Sequence, residues 1–210
     1  KAFGAPLHII FPDNVDKNIN QFKQVLDKKG GDYDIFYAHK ANKSESILEV
    51  CAKNNIGIDV ASTAEFVQAL KHGFSETKIG VSGPIKNKKL LVLALQHKAL
   101  IQIDSFEELE TLLDIIQKLK TNDLAQVVLR YAPNKNSRFG LLSHEIISCL
   151  DYLKKHTSII DLKGFSFHLS GYNMTERAQT ISHLIELIDI AKEKRFSANI
   201  IDIGGGIPIA

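Results

Sequence analysis

Lys40 closes the run Phe36-Tyr37-Ala38-His39-Lys40, and it is the first residue here that could do chemistry. A lysine at a strand end can simply lay its stem on apolar surface and keep its ammonium in water. It can also be a nucleophile toward an aldehyde, once burial and neighbouring cations lower its pKa. The run Asp202-Ile203-Gly204-Gly205-Gly206 is the second candidate. Three glycines let a backbone approach an anion closely and point N–H groups at it. The same glycines can also form a loose turn. His168 is the third. Its flat imidazole can cover a flat ring, or it can be a satisfied structural histidine.

These residues lie on a repeating scaffold. Short β-rich runs span Ile35–Lys40, Ile56–Ala61, Lys78–Ser82, Leu100–Asp104, Gln126–Tyr131, Leu162–Leu169 and Asn199–Ile203. Amphipathic helical patterns lie between them, at Lys43–Asn54, Thr63–His72, Asn87–His97, Phe106–Lys120, Ser143–His156 and Thr175–Lys194, after an earlier one at Val15–Lys29. This rhythm is that of a βα repeat. Asn42-x-x-Glu45, Ser62-x-x-Glu65 and Ser105-x-x-Glu108 read as capping boxes at three helix starts.

Strand parity carries more information, because alternate side chains face opposite sides. Ile58 and Val60 oppose Gly57 and Asp59; Ile79 and Val81 oppose Gly80 and Ser82; Ile101 and Ile103 oppose Gln102 and Asp104. Val127, Leu129 and Tyr131 oppose Val128 and Arg130, and Phe165, Phe167 and Leu169 oppose Gly164, Ser166 and His168. Phe36, Ala38 and Lys40 share a face, while the last run is less regular, with Asp202 beside Ile200. One face is apolar and the other turns polar toward the C-terminal end. Strands buried on both faces of an open sheet usually read as unbroken apolar runs. A closed parallel barrel, with helices outside and a site at the mouth, accounts better for this pattern. An open doubly wound sheet is the alternative, and its ligand would also lie at the strand ends. At one mouth, Lys40, His168 and the glycine loop would offer an imine-forming amine, a ring cover and a phosphate cradle. Pyridoxal phosphate needs all three.

The chain resembles the alanine-racemase-like barrel class of pyridoxal-phosphate enzymes, on the side of the diaminopimelate, ornithine and arginine decarboxylases. The resemblance rests on Tyr37-Ala38-His39-Lys40-Ala41-Asn42, Asp59-Val60-Ala61-Ser62-Thr63-Ala64-Glu65, Arg138-Phe139-Gly140-Leu141, Phe167-His168-Leu169-Ser170-Gly171 and Asp202-Ile203-Gly204-Gly205-Gly206, in family order over nearly the whole chain. It implies a (βα)8 TIM barrel, here of about seven strands and without the family's C-terminal β domain. Residues 1–13 would be the opening strand that pairs with that domain, and 14–210 the incomplete barrel. It also implies roles. Lys40 binds the cofactor covalently, His168 stacks on its pyridine ring, and the amides of Gly204, Gly205 and Gly206 hold its phosphate. Asp59 sits near Lys40 and the ring, and Arg130 is an inward cation in the layer behind. Glu65 matches too, but its place in a capping box already explains it.

Two positions depart from the family pattern. Relatives usually place a small residue and then a hydroxyl after the histidine and an aliphatic residue, whereas Ser170-Gly171 has them exchanged, which bears on a phosphate contact by Ser170. His39 stands where an aliphatic residue is common, and parity turns it outward beneath the helices. The eighth strand, the acidic partner of the pyridine nitrogen and a second phosphate contact would lie past Ala210, so the natural protein is expected to continue.

The activity implied is decarboxylation of a free amino acid by a cytoplasmic homodimer. Two other readings stay open: a racemase on the same barrel using Lys40 as one of two bases, and a relative that binds the cofactor without turnover. The remaining composition narrows the field. Basic and acidic side chains number 26 and 24 and are well mixed, which gives no case for nucleic acid or a membrane surface. No apolar run approaches the roughly 20 residues of a membrane helix. Cys51 and Cys149 match no metal spacing, so no metal is expected, and two isolated cysteines suit a reducing compartment.

Overall fold

The computed structural model describes residues 4, 6–120, 123–169, 171 and 173–206. The chain alternates as read: α1 (Pro12–Lys29), β1 (Phe36–Ala38), α2 (Glu45–Lys53), β2 (Gly57–Val60), α3 (Thr63–Lys71), β3 (Ile79–Val81), α4 (Lys88–Gln96), β4 (Leu100–Ile103), α5 (Phe106–Leu119), β5 (Ala125–Tyr131), α6 (Ser143–Leu153), β6 (Ile160–Phe167), α7 (Met174–Glu193) and β7 (Ile200–Asp202). The strands form one parallel sheet in the order β1 to β7. Sequential order with a helix at each crossover is barrel topology, not that of a doubly wound sheet, in which the order reverses.

The apolar parity row is the outer one. Ile58, Val60, Ile79, Ile101, Ile103, Val127 and Leu129 are sealed from water and share one cluster with Leu48, Phe66, Leu91, Leu109, Leu150 and Leu184 of the helices. Each such side chain contributes about 1.5–3 kcal/mol. The inner row meets across the concave side. Gln102 of β4 donates from Nε2 to Ser166 Oγ of β6 at 2.8 Å. Alternate strands contribute to one layer in this way when a sheet curls into a barrel. The Phe36 ring fills the floor beside Gly57, where a Cβ would stand 2.5 Å from Phe36 Cδ1.

Strict alternation fails once, in β6. Val127 pairs with Leu162 but Val128 with Gly164, so Lys163 is skipped. The bulge turns both Leu162 and Phe165 to the buried outer face, at 2% and 0% exposure, although they stand three positions apart.

Helix starts differ in detail from the expected capping boxes. Ser62 Oγ accepts from Glu65 N–H at 3.3 Å and Ser105 Oγ from Glu108 N–H at 3.2 Å. The two glutamates reach one residue further back, to Ala61 N–H at 2.8 Å and Asp104 N–H at 2.9 Å, and so tie each helix to the end of the preceding strand. The third box does not form. Asn42 Oδ1 accepts from Ser44 N–H at 3.0 Å, a local Asx turn that moves the helix start to Ser44. Asn87 and Asn173 cap α4 and α7 instead. In the segment expected to open the fold, residues 6–11 belong to no strand and α1 already starts at Pro12.

Candidate functional site

Lys40 reaches the mouth by a different local route from the expected one. β1 stops at Ala38, and His39–Ala41 form one 3-10 turn. The turn sends His39 into the protein, where it is fully buried, and leaves Lys40 exposed. Burial lowers the His39 pKa, which keeps the ring neutral beneath the helices. This is the structural place that parity assigned to it.

Asp59, at the C-terminal end of β2, accepts from Ser82 Oγ at 2.7 Å. Burial pushes its carboxyl up to about 6; the Ser82 bond opposes this, Asp202 adds to it, and Lys40 and Lys86 oppose it. Asp59 therefore shares one mouth with Lys40 and Asp202. His168, just past β6, is part of the same group. Its pKa is lowered by desolvation and then by the Lys40, Arg130 and Arg177 cations, with Asp202 opposing. At neutral pH it is an uncharged imidazole.

The glycine run turns directly against this histidine. Gly204 has φ +67°, and a Cβ there would stand 2.5 Å from Phe167 O and 3.2 Å from His168 Nδ1. Only glycine suits that backbone and that approach. Gly204 N–H is already used, donating to Asp202 Oδ1 at 2.8 Å. Gly205 and Gly206 N–H have no acceptor among the described residues, and a Cβ at Gly205 would meet nothing within 4 Å. The open side of the loop thus lies at its last two amides, not at all three.

Arg130 is 9% exposed and donates from Nη1 to Asp104 Oδ1 at 2.7 Å. Asp104 Oδ2 accepts from Gly140 N–H at 3.1 Å, and the Phe139 ring lies 5.2 Å from the Arg130 guanidinium carbon. Leu141 N–H donates to Arg130 O and accepts in return through its carbonyl from Ala132 N–H, both at 2.8 Å. The Arg138-Phe139-Gly140-Leu141 stretch is therefore a clasp over the end of β5. Glu65 is likewise structural: beside its bond to Ala61 N–H, it pairs with Lys43 at 2.7 Å. Ser170 lies outside the described residues.

Three participants were not singled out from sequence. Lys86, in the loop after β3, is buried and pairs with Glu108 at 2.8 Å while donating to Gly83 O at 2.8 Å. Desolvation lowers its pKa, against the pull of Glu108, Asp104 and Asp59. No local pattern marks it. Asp104 was visible as an inward side chain, but its partner was not. Arg177, on α7, is 3% exposed. It occupies the buried stripe of Thr180, Leu184, Leu187, Ile188 and Ala191, and a cation on such a stripe was the available signal. Among the described residues no group of three or more His, Cys, Asp or Glu could hold a metal ion, and no helix is long and apolar enough to cross a membrane.

Comparison with known proteins identifies the family and the fold. Residues 13–210 match the family model described as pyridoxal-dependent decarboxylase, pyridoxal binding domain. The chain is 33% identical over 209 residues to the uncharacterized protein y4yA of Sinorhizobium fredii, covering 98% of this chain and 45% of that one. It is 27% identical over 230 residues to diaminopimelate decarboxylase of Helicobacter pylori, covering all of this chain and 55% of the relative. Among solved structures, the arginine decarboxylase of Paramecium bursaria Chlorella virus superposes with a TM-score of 0.78 at 25% identity, over 93% of this chain and 53% of the other. The chain thus spans about half the length of the curated relatives it matches.

Proposed function

The chain belongs to the pyridoxal-dependent decarboxylase family, whose pyridoxal-binding domain its residues 13–210 match, and from this premise we propose that the protein decarboxylates a free amino acid with its cofactor held on Lys40. The observation that carries the proposal is the shared mouth: an exposed Lys40 amine, a neutral His168 and two open glycine amides, all at the strand C-terminal ends. These groups fit pyridoxal phosphate. The amine suits its aldehyde, the free N–H groups suit its phosphate, and the imidazole packed on Gly204 suits its ring.

When bound, pyridoxal phosphate supplies the electron sink that makes loss of carbon dioxide feasible. The protein supplies the rest. Lys40 would hold the cofactor through its amine. His168, uncharged at neutral pH, covers one face of the ring without adding repulsion against Lys40. Gly205 and Gly206 N–H, with Gly204 shaping the turn, receive the phosphate, and Ser170 is a further candidate for that contact. Asp59, whose carboxyl burial pushes up to about 6, is largely anionic at neutral pH and sets a negative charge near Lys40. Arg130, locked by Asp104, sets a positive charge behind His168. The substrate we assign is a free amino acid, and the full protein is proposed to work as a cytoplasmic homodimer.

The test is borohydride reduction of the full-length protein with pyridoxal phosphate, followed by peptide mapping. A phosphopyridoxyl group on Lys40, and its loss in Lys40→Ala, is expected. Label on another lysine, or none on folded protein supplied with cofactor, defeats the assignment. Carbon dioxide release from a panel of amino acids marks a decarboxylase, whereas inversion without release marks a racemase.

A further inference from the structure

We infer that Arg177 is the positioning residue of the phosphate cradle: it holds the glycine loop from behind, so that the free Gly206 N–H faces the mouth. The inference rests on the proposal that this loop receives the phosphate of a cofactor bound to Lys40.

Arg177 is a buried arginine that no carboxylate partners among the described residues; its recorded hydrogen bonds go to backbone carbonyls. It projects from the first turn of α7 toward the end of β7. Nη1 donates to Ile203 O and Nη2 donates to Gly205 O, the second at 3.1 Å. The guanidinium carbon lies 5.8 Å from the centre of the Phe167 ring, at the end of β6. The guanidinium therefore joins α7, β6 and the loop after β7 at one point. Burying a charge against nothing but carbonyls and a ring is costly. Its Nη1 and Nη2 both go to peptide carbonyls of one five-residue stretch, while Nε is buried with no hydrogen-bond partner among the described residues.

The direction of those peptides follows from covalent geometry. In a trans peptide the C=O and the next N–H point to opposite sides. Holding Ile203 O toward Arg177 turns Gly204 N–H away from it, onto Asp202 Oδ1 at 2.8 Å. That peptide is clamped from both sides. Holding Gly205 O toward Arg177 turns Gly206 N–H away as well, and this N–H has no acceptor among the described residues. Gly204 and Gly206 both have positive φ, at +67° and +73°, so the loop has wide backbone freedom unless something fixes it. The arginine fixes it. Its charge also polarises the two carbonyls, which strengthens the opposite N–H ends as donors to an anion.

A preorganised Gly206 N–H should favour phosphate over its absence. Pyridoxal, which has the aldehyde and ring but no phosphate, is thus the control ligand. The experiment uses the full-length protein and its Arg177→Gln and Arg177→Lys variants. Pyridoxal phosphate and pyridoxal are titrated separately, reading the absorbance change on binding to Lys40. For Arg177→Gln, pyridoxal phosphate affinity is expected to fall about tenfold or more, with pyridoxal affinity within about twofold of the parent. Arg177→Lys keeps the charge but not the fork and should lose most of the same preference. It is read in the same way if the glutamine variant does not fold. A parallel loss of both ligands would mark Arg177 as a general support and overturn the inference, as would an unchanged preference. If the parent protein shows no absorbance change with either ligand, the cofactor assignment itself fails, which is a distinct result.

Discussion

Arg130 and Asp104 form a nearly dry ion pair, Nη1 to Oδ1 at 2.7 Å, with side-chain exposures of 10% and 5%. The pair joins β5 to the end of β4, and through Asp104 Oδ2 it also holds the Gly140 amide of the clasp. Such a pair is worth less than its Coulomb attraction suggests, because both ions gave up hydration. Breaking it on one side is another matter, since the remaining charge is left buried.

Arg130→Ala and Asp104→Ala are each expected to lower stability by about 3–5 kcal/mol, and the double variant by much less than the sum. Urea unfolding of all four proteins closes the cycle. Single variants within about 1 kcal/mol of the parent would show that the pair does not hold the clasp.

Gly57 is expected to reject even a methyl group. Its Cβ would lie 2.5 Å from two carbons of the Phe36 ring and 3.0 Å from Lys78 O. Gly57→Ala should cost about 1–3 kcal/mol through overpacking of the barrel floor. Phe36→Leu, introduced with it, should recover part of the loss because the ring is the closer obstacle. Additive effects of the two substitutions in thermal unfolding would contradict this packing.

Asp59 should make stability fall as pH rises. Its folded-state pKa of about 6 lies above the ordinary 3.8, so between those values the native state keeps a proton that the unfolded chain has lost. The contribution is therefore fully present below about pH 4 and gone above about pH 6. Asp59→Asn keeps an acceptor for Ser82 and removes the titration. It should melt higher than the parent at pH 7.5, with the gap closing toward pH 4. A gap that does not change with pH would refute the burial-driven shift.

The order of elements was legible in the sequence because its causes are local. Alternating side chains placed Ile58 and Val60 outside and Gly57 and Asp59 inside, and the structure keeps that division. Register came less completely. The bulge at Lys163 is invisible to strict alternation, since it is the burial of Leu162 and Phe165 together that selects it. Helix starts at Ser62 and Ser105 were readable for the same local reason, whereas Asn42 closed a turn on Ser44 instead of capping a helix.

For the site, the sequence by itself determined which chemistry-bearing residues stand at strand ends: Lys40, Asp59, His168 and the glycine run. For Asp59 and His168 that information lies in spacing of two residues along a strand, whereas Lys40 stands on a 3-10 turn past the end of β1. Only the tertiary structure decided what surrounds them. Arg130 meets Asp104 across 26 positions, Lys86 meets Glu108 across 22, and Arg177 reaches Ile203 and Gly205 across 26 and 28. Each of these contacts joins separate βα units. No periodicity within one unit encodes them, because they exist only once the curled sheet brings the strand ends to a common mouth and removes water from the charges that meet there.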